Sequence, residues 1–192
     1  MCCETKVKIA ATVRELLLTR PVSKITVQDV MQRADMTRQS FYYHFQDIYD
    51  VLEWDVRQKL HEQLTFRREQ PFDAWCSEIL DDMQSNQGLY RKISEALGRD
   101  KIQQLAAPYV SPQMARLLYG NDAFSRELTA DEEIALDFAV RTMIDSFLSL
   151  TFSRARIDTD ECVRRVQAIV NILQRGGEYR TNAAARYATV AC

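Results

Sequence analysis

Residues 25–45 read ITVQDVMQRADMTRQSFYYHF, and their spacing sets two short helices against each other across a tight turn. Thr26 is placed to cap the first helix, and Asp29 stands three residues on, where an acidic side chain completes a reciprocal cap. Val27, Val30, Met31 and Ala34 fall at i, i+3, i+4 and i+7, one buried face. Ala34-Asp35-Met36 makes the turn, and Thr37 caps a very short second helix, Arg38 to His44. In that helix Phe41 turns inward, as Phe45 does just beyond it, while Arg38, Gln39, Tyr42 and Tyr43 point elsewhere. An exposed helix start bearing Arg and Gln suits a DNA major groove. Arg pairs bidentately with guanine O6/N7, and Gln does the same with adenine N6/N7.

Working outward, the chain reads as helix throughout. A first helix runs from about Thr5 to Thr19 and stops at Pro21, with Ile9, Val13, Leu16 and Leu17 on its inner face. Asp47 caps a long fourth helix to about Arg68, striped by Ile48, Leu52, Val56, Leu60 and Leu64. Phe72 to Gln84 and Gly88 to Leu97 follow, parted by SNQG, and Asp100 to Tyr119 is expected to be interrupted at Pro108 and Pro112. Thr129 to Glu132 is a capping box opening a helix to about Arg156, and a last helix starts at Asp158 or Thr159 and closes at Gly176-Gly177. The fold class is all-α. Residues 1–46 are expected to form a three-helix helix-turn-helix domain, 47–177 a larger helical domain, and 178–192 a poorly packed tail.

Composition agrees with this division. With 46% hydrophobic residues and only 5 Gly and 4 Pro, the 192-residue chain suits long, seldom broken helices around a packed core. Its net charge is −2, so the whole is no basic nucleic-acid binder. Residues 1–45 nonetheless hold seven Lys/Arg against four Asp/Glu, while the remainder holds 18 against 23. A basic unit on an acidic body fits DNA contact at one end. The five cysteines form no CxxC pair and have no histidine at ligand spacing, so no metal site and no cofactor is expected. Cys76 and Cys162 read as core packing. The start MCCETKVK lacks an apolar run, and no stretch of about 18 uncharged apolar residues exists, so neither secretion nor a membrane span is expected and the location reads as cytoplasmic.

Ile25 to Leu52, with FYYHF followed by Asp47 and Leu52, resembles the DNA-binding domain of TetR-type transcriptional regulators. The run FYYHFQDIYDVLEW most resembles the subgroup that includes dihydroxyacetone-kinase regulators. The resemblance implies that Thr26 contacts phosphate, that Thr37, Arg38, Gln39 and Ser40 open the reading helix, and that Tyr42, Tyr43 and His44 grip the backbone. Helix N-termini and hydroxyls are ordinary phosphate donors, which position without specifying sequence. Without that context, Thr26 is simply a cap, Tyr42 or Tyr43 a packing aromatic, and His44 a residue favoured by the helix dipole.

Two residues depart from the family pattern. Asp35 stands where Gly is usual in the turn, and Asp tolerates the left-handed conformation better than most. Ile48 stands where Lys is common, so it either sits at the DNA backbone without a charge or packs beneath Phe41 and Phe45.

The resemblance also implies that the last two helices pair with their symmetry mates. The helix from Ile134 to Leu150 is apolar on more than one side, which independently suggests a partner, or else a helix buried at the centre of its own domain. Phe147, Val166, Val170 and Leu173 are the interface candidates. Trp54, Trp75, Tyr90, Tyr109, Met143 and Phe147 either line an effector pocket or are core. No GxSxG, GxxxxGK[ST] or HExxH motif occurs and the two histidines are His44 and His61, so no catalytic residue is assigned and the chain is not expected to be an enzyme. The resulting expectation is a homodimeric repressor that binds a palindromic site in double-stranded DNA and answers to a small-molecule effector of unspecified identity. The rival expectation makes the effector a protein docking on the C-terminal domain.

Overall fold

The computed structural model describes residues 2–64, 70–120, 123, 126–152, 158–168 and 171. Among these, α1 (Cys2–Thr19) leads through a 3-10 turn, Val22–Lys24, into α2 (Val27–Arg33) and α3 (Arg38–His44). Then come α4 (Ile48–Leu64), α5 (Phe72–Ser85), α6 (Gln87–Leu97), α7 (Arg99–Tyr119) and α8 (Ala130–Phe152). A further helical stretch covers 159–168. The described residues contain no strand, and no described helix is long and apolar enough to cross a membrane.

Caps written in the sequence place the starts of α2, α3, α4 and α8. Asp50 N–H donates to Asp47 Oδ1 at 2.8 Å, and the Asp50 carboxylate accepts from Gln46 N–H at 3.0 Å. Thr129 and Glu132 cap α8 reciprocally, and Arg126 grips Glu132 with two bonds of 2.8 and 2.6 Å. That guanidinium and the Thr129 amide hold the Glu132 carboxyl down at about 2. Two expectations change. The SNQG break shrinks to Asn86 alone, with Gly88 inside α6. More consequentially, α7 runs unbroken through Pro108 and Pro112. Each proline forfeits one hydrogen bond to the residue four before it. Burial of Ile102, Leu105, Ala106, Val110 and Met114 along the same helix outweighs those losses.

Two principal cores result. The first joins Ile9, Val13, Leu17, Val30, Phe41 and Phe45 to Ile48, Val51 and Leu52 of α4 and to Ile93 of α6. The second joins Trp75 and Cys76 of α5 to α7 and to Val140, Met143, Ile144 and Leu148 of α8. Burial pushes the Cys76 thiol up to about 12, in keeping with a packing role. Helix α4 serves both cores, packing on α1, α6 and α7. Between these helices lies a cavity of about 370 Å³ whose wall includes Trp75, Tyr90 and Phe147. The other pocket candidates sit elsewhere: Trp54 packs edge-on to Phe45, Met143 is buried in the second core, and Tyr109 meets the His61 ring.

One charged contact at the cavity wall ties α1 to α4. Arg14 donates to Asp55 at 2.9 Å; the Asp55 side chain is 9% exposed and that of Arg14 37%. Burial keeps the Asp55 carboxyl above its ordinary 3.8, outweighing the attraction of Arg14. Arg14→Leu should cost about 1–3 kcal/mol, less than the ~3–5 of a fully buried pair because water already screens Arg14. A carboxyl whose pKa rises on folding destabilises the native state once ionised, so the contribution of Asp55 to stability falls as pH climbs from 3.8 through its folded value. Arg14→Leu steepens that fall and Asp55→Asn abolishes it, as denaturant melts between about pH 4 and pH 7 will register.

Candidate nucleic-acid interface

The helix pair is built as its residues dictate. Asp29 N–H donates to Thr26 Oγ1 at 3.1 Å and the Asp29 carboxylate accepts from Thr26 N–H at 3.0 Å, closing the capping box on α2. Arg20 adds an ion pair to Asp29 at 3.1 Å. The hydrogen bonds from Thr26, chiefly from its hydroxyl, hold the Asp29 carboxyl below its usual range. The turn then bends through Asp35, whose φ of 52° is the left-handed conformation that Gly would adopt freely. Met36 N–H reaches back to the Met31 carbonyl at 2.9 Å, and Thr37 accepts from Ser40 N–H at 3.3 Å to start α3.

Behind the helix, Phe41 has no exposed surface and Phe45 is 3% exposed. In front, Thr37, Arg38, Gln39, Tyr42 and Tyr43 are exposed, with Ser40 and His44 partly so. Tyr43 is 79% and Tyr42 62% exposed, unusual for aromatics with nothing to cover them. Tyr42 rests edge-on against Phe41 and Tyr43 against His44, which fixes their rings without burying them. The predicted contact residues on α3 are therefore exposed or partly so, as is Thr26 at the start of α2. Arg38 is also held: it donates to the Gln28 side-chain oxygen at 2.9 Å. The sequence offers no signal for this, since Gln28 is an ordinary polar residue on another helix. Its amide is neutral, so the bond orients the guanidinium and leaves its charge intact, whereas Arg33 is paired to Glu15 at 3.0 Å.

Of the interface candidates, Phe147 packs against the second core and lines the cavity, and Val166 packs against the same core. Val170 and Leu173 lie outside the described residues. The large apolar residues that α8 leaves exposed are Ile134, Phe138 and Phe152, at 69%, 63% and 44%.

Comparison with known proteins places this geometry. Residues 9–53 match the family described as bacterial regulatory proteins, tetR family. Over 88 residues the chain is 30% identical to the HTH-type dhaKLM operon transcriptional activator DhaS of Lactococcus lactis subsp. lactis (strain IL1403). That match spans 44% of this chain and 46% of the relative, about half the relative's length. Among solved structures, the dihydroxyacetone kinase operon activator DhaS superposes with a TM-score of 0.67 at 15% identity, covering 89% of this chain and 96% of that one. The TetR family repressor AlkX from Dietzia sp. strain DQ12-45-1b superposes with a TM-score of 0.55 at 14% identity over 88% and 95%. NalD, the secondary repressor of the MexAB-OprM multidrug efflux pump in Pseudomonas aeruginosa, does so with a TM-score of 0.55 at 16% identity over 90% and 98%. At these identities the structural likenesses establish the shared all-α fold.

Ile48 is 6% exposed, in the same buried cluster as Phe41 and Phe45, so of its two readings the packing one holds. Ile48→Lys should accordingly lower stability by several kcal/mol, on the order of 2–4. The slope of log K for DNA against log salt should stay as it was, whereas a new phosphate contact would steepen it by about 0.9. Melting temperature and salt slope measured on one preparation check both halves.

Proposed function

We propose that this chain, whose N-terminal helices are a tetR-family DNA-binding domain, is a cytoplasmic transcriptional repressor that grips a palindromic operator as a homodimer and releases it when a small molecule binds. The observation that carries the reading is the start of α3: Arg38 and Gln39 stand exposed on a helix locked from behind by Phe41. Thr37, Ser40, Tyr42, Tyr43, His44 and Thr26 would meet phosphates around it. A symmetric pair of such helices, about 34–36 Å apart, reads two half-sites one turn of DNA apart. The cavity behind the reading domain favours a small-molecule effector over a docking protein.

A gel shift against the DNA flanking its own gene tests the operator. Arg38→Ala and Gln39→Ala should each lose discrimination at one or two positions, about 1–3 kcal/mol per bidentate contact in each half-site. Tyr42→Phe should weaken all sequences alike, because a phosphate contact carries no base information. An unchanged sequence preference in Arg38→Ala would remove α3 from the groove. A reporter for the flanking gene should rise when the regulator is deleted. A fall would give it the activating sign carried by the name of the relative DhaS.

Phe147 faces the cavity, so the surface that α8 offers a second protomer is that of Ile134 and Phe138. Ile134→Glu combined with Phe138→Glu should give folded monomers by sedimentation and lower operator affinity. An unchanged dimer would move the interface elsewhere.

A further inference from the structure

Arg38 is held differently from the other arginines of the reading domain. Arg14, Arg20 and Arg33 are each paired with a carboxylate, those of Asp55, Asp29 and Glu15. Arg38 instead donates from Nη2 to the side-chain oxygen of Gln28 at 2.9 Å, ten residues back on α2. Both residues are exposed, so burial does not bring them together. The backbone beneath each is fixed. Gln28 lies between Val27, which packs on the first core, and Asp29, which closes the capping box with Thr26. Arg38 opens α3 directly after its cap Thr37, three residues before the buried Phe41.

The bond leaves the guanidinium able to read a base. Its five N–H groups lie in one plane, and Nη2 carries two of them, one beside Nε–H and the other beside Nη1. Whichever of the two goes to Gln28, the other keeps a neighbouring N–H, so one edge remains whole for guanine O6 and N7. An amide oxygen also holds the guanidinium without cancelling its charge, as a carboxylate would. An arginine loose at the surface gives up its rotamer freedom on meeting DNA, and one already held gives up less.

We propose that Gln28 is a positioning residue for DNA recognition: it aims the Arg38 guanidinium at guanine, and so sets how sharply that base pair is chosen, without touching a base itself. The proposal deepens, and rests on, the reading of the chain as a sequence-specific DNA-binding regulator.

Two variants of nearly the same length separate an acceptor from mere bulk. Gln28→Met removes the oxygen, and Gln28→Glu keeps one within reach of Arg38. Duplexes selected from a random pool by the full chain give the operator, and the position at which Arg38→Ala loses its preference marks the base that Arg38 reads. At that position Gln28→Met should lower the preference for guanine about three- to tenfold per half-site, with other positions moved less than about twofold. In an Arg38→Ala background, Gln28→Met should have no further effect on preference there. Gln28→Glu should keep the preference while weakening binding to all sequences alike, because its charge repels phosphate. Without DNA, the Arg38 Nε–H followed by nitrogen–proton relaxation, and assigned with Arg38→Ala, should gain fast mobility in Gln28→Met and not in Gln28→Glu.

An unchanged or sharper guanine preference in Gln28→Met overturns the proposal, as does a loss at a position other than that of Arg38. An equal loss in Gln28→Glu, or an Arg38 signal equally mobile in all three proteins, overturns it too. Each of those leaves operator binding by the unmutated chain in place. A chain that selects no duplex, or whose Arg38→Ala variant loses preference nowhere, instead removes the reading on which the proposal rests, and the proposal with it.

Discussion

A seven-residue helix cannot stand alone. Two turns supply too few hydrogen bonds to offset the entropy of fixing the backbone, so α3 exists because tertiary packing holds it. The side chain that does this is Phe41, fully buried at the centre of a cluster drawn from α1, α2, α4 and α6. The helix that carries Arg38 to Tyr43 outward is held in place from behind by that inward ring. Lys6 tightens the arrangement from α1, its ammonium 5.3 Å from the Phe45 ring and 5.8 Å from that of Trp54. Cation–π contacts of this kind favour one rotamer set for the aromatics over others.

The same cluster makes the two halves of the chain interdependent. Ile93 of α6 is buried in the N-terminal core, and Ile48, Val51 and Leu52 of α4 belong there too. Further along α4, Asp55 bonds back to α1, Glu53 pairs with Lys101 of α7 at 2.8 Å, and Leu60 packs on the second core. A shift of α4 or α6 therefore bears directly on the packed cluster on which α3 rests. Packed interiors transmit displacement in this way because they have little free volume to absorb it.

The helix-turn-helix was legible because its signals are local. Thr26 with Asp29, the left-handed Asp35 and Thr37 before Ser40 each act within a few residues, and each stands in the structure as its spacing implied. The apolar surplus of α8 was legible as well, but which residues face outward was not: Phe147 turns in and Phe138 out, a matter of helix phase against neighbours far away in sequence. Ile48 had two readings until the cluster around Phe41 decided between them. The bond from Arg38 to Gln28 joins residues on separate helices and leaves no trace in composition or period. At Pro108 and Pro112 a local rule met a stronger tertiary term, and burial kept the helix whole.

Those two prolines leave a mechanical mark on α7. Two of the four prolines in the chain sit inside this one helix, four residues apart, so the carbonyls of Gln104 and Pro108 lack their usual helical donors on the same side. Val110, between the prolines, lines the cavity, as do Ala106 and Ile102 in the turns before it. With fewer internal bonds resisting curvature there, α7 is a compliant wall opposite stiffer ones. The cavity accordingly has a preferred direction of strain: a guest slightly too large deflects α7 before it displaces its other neighbours.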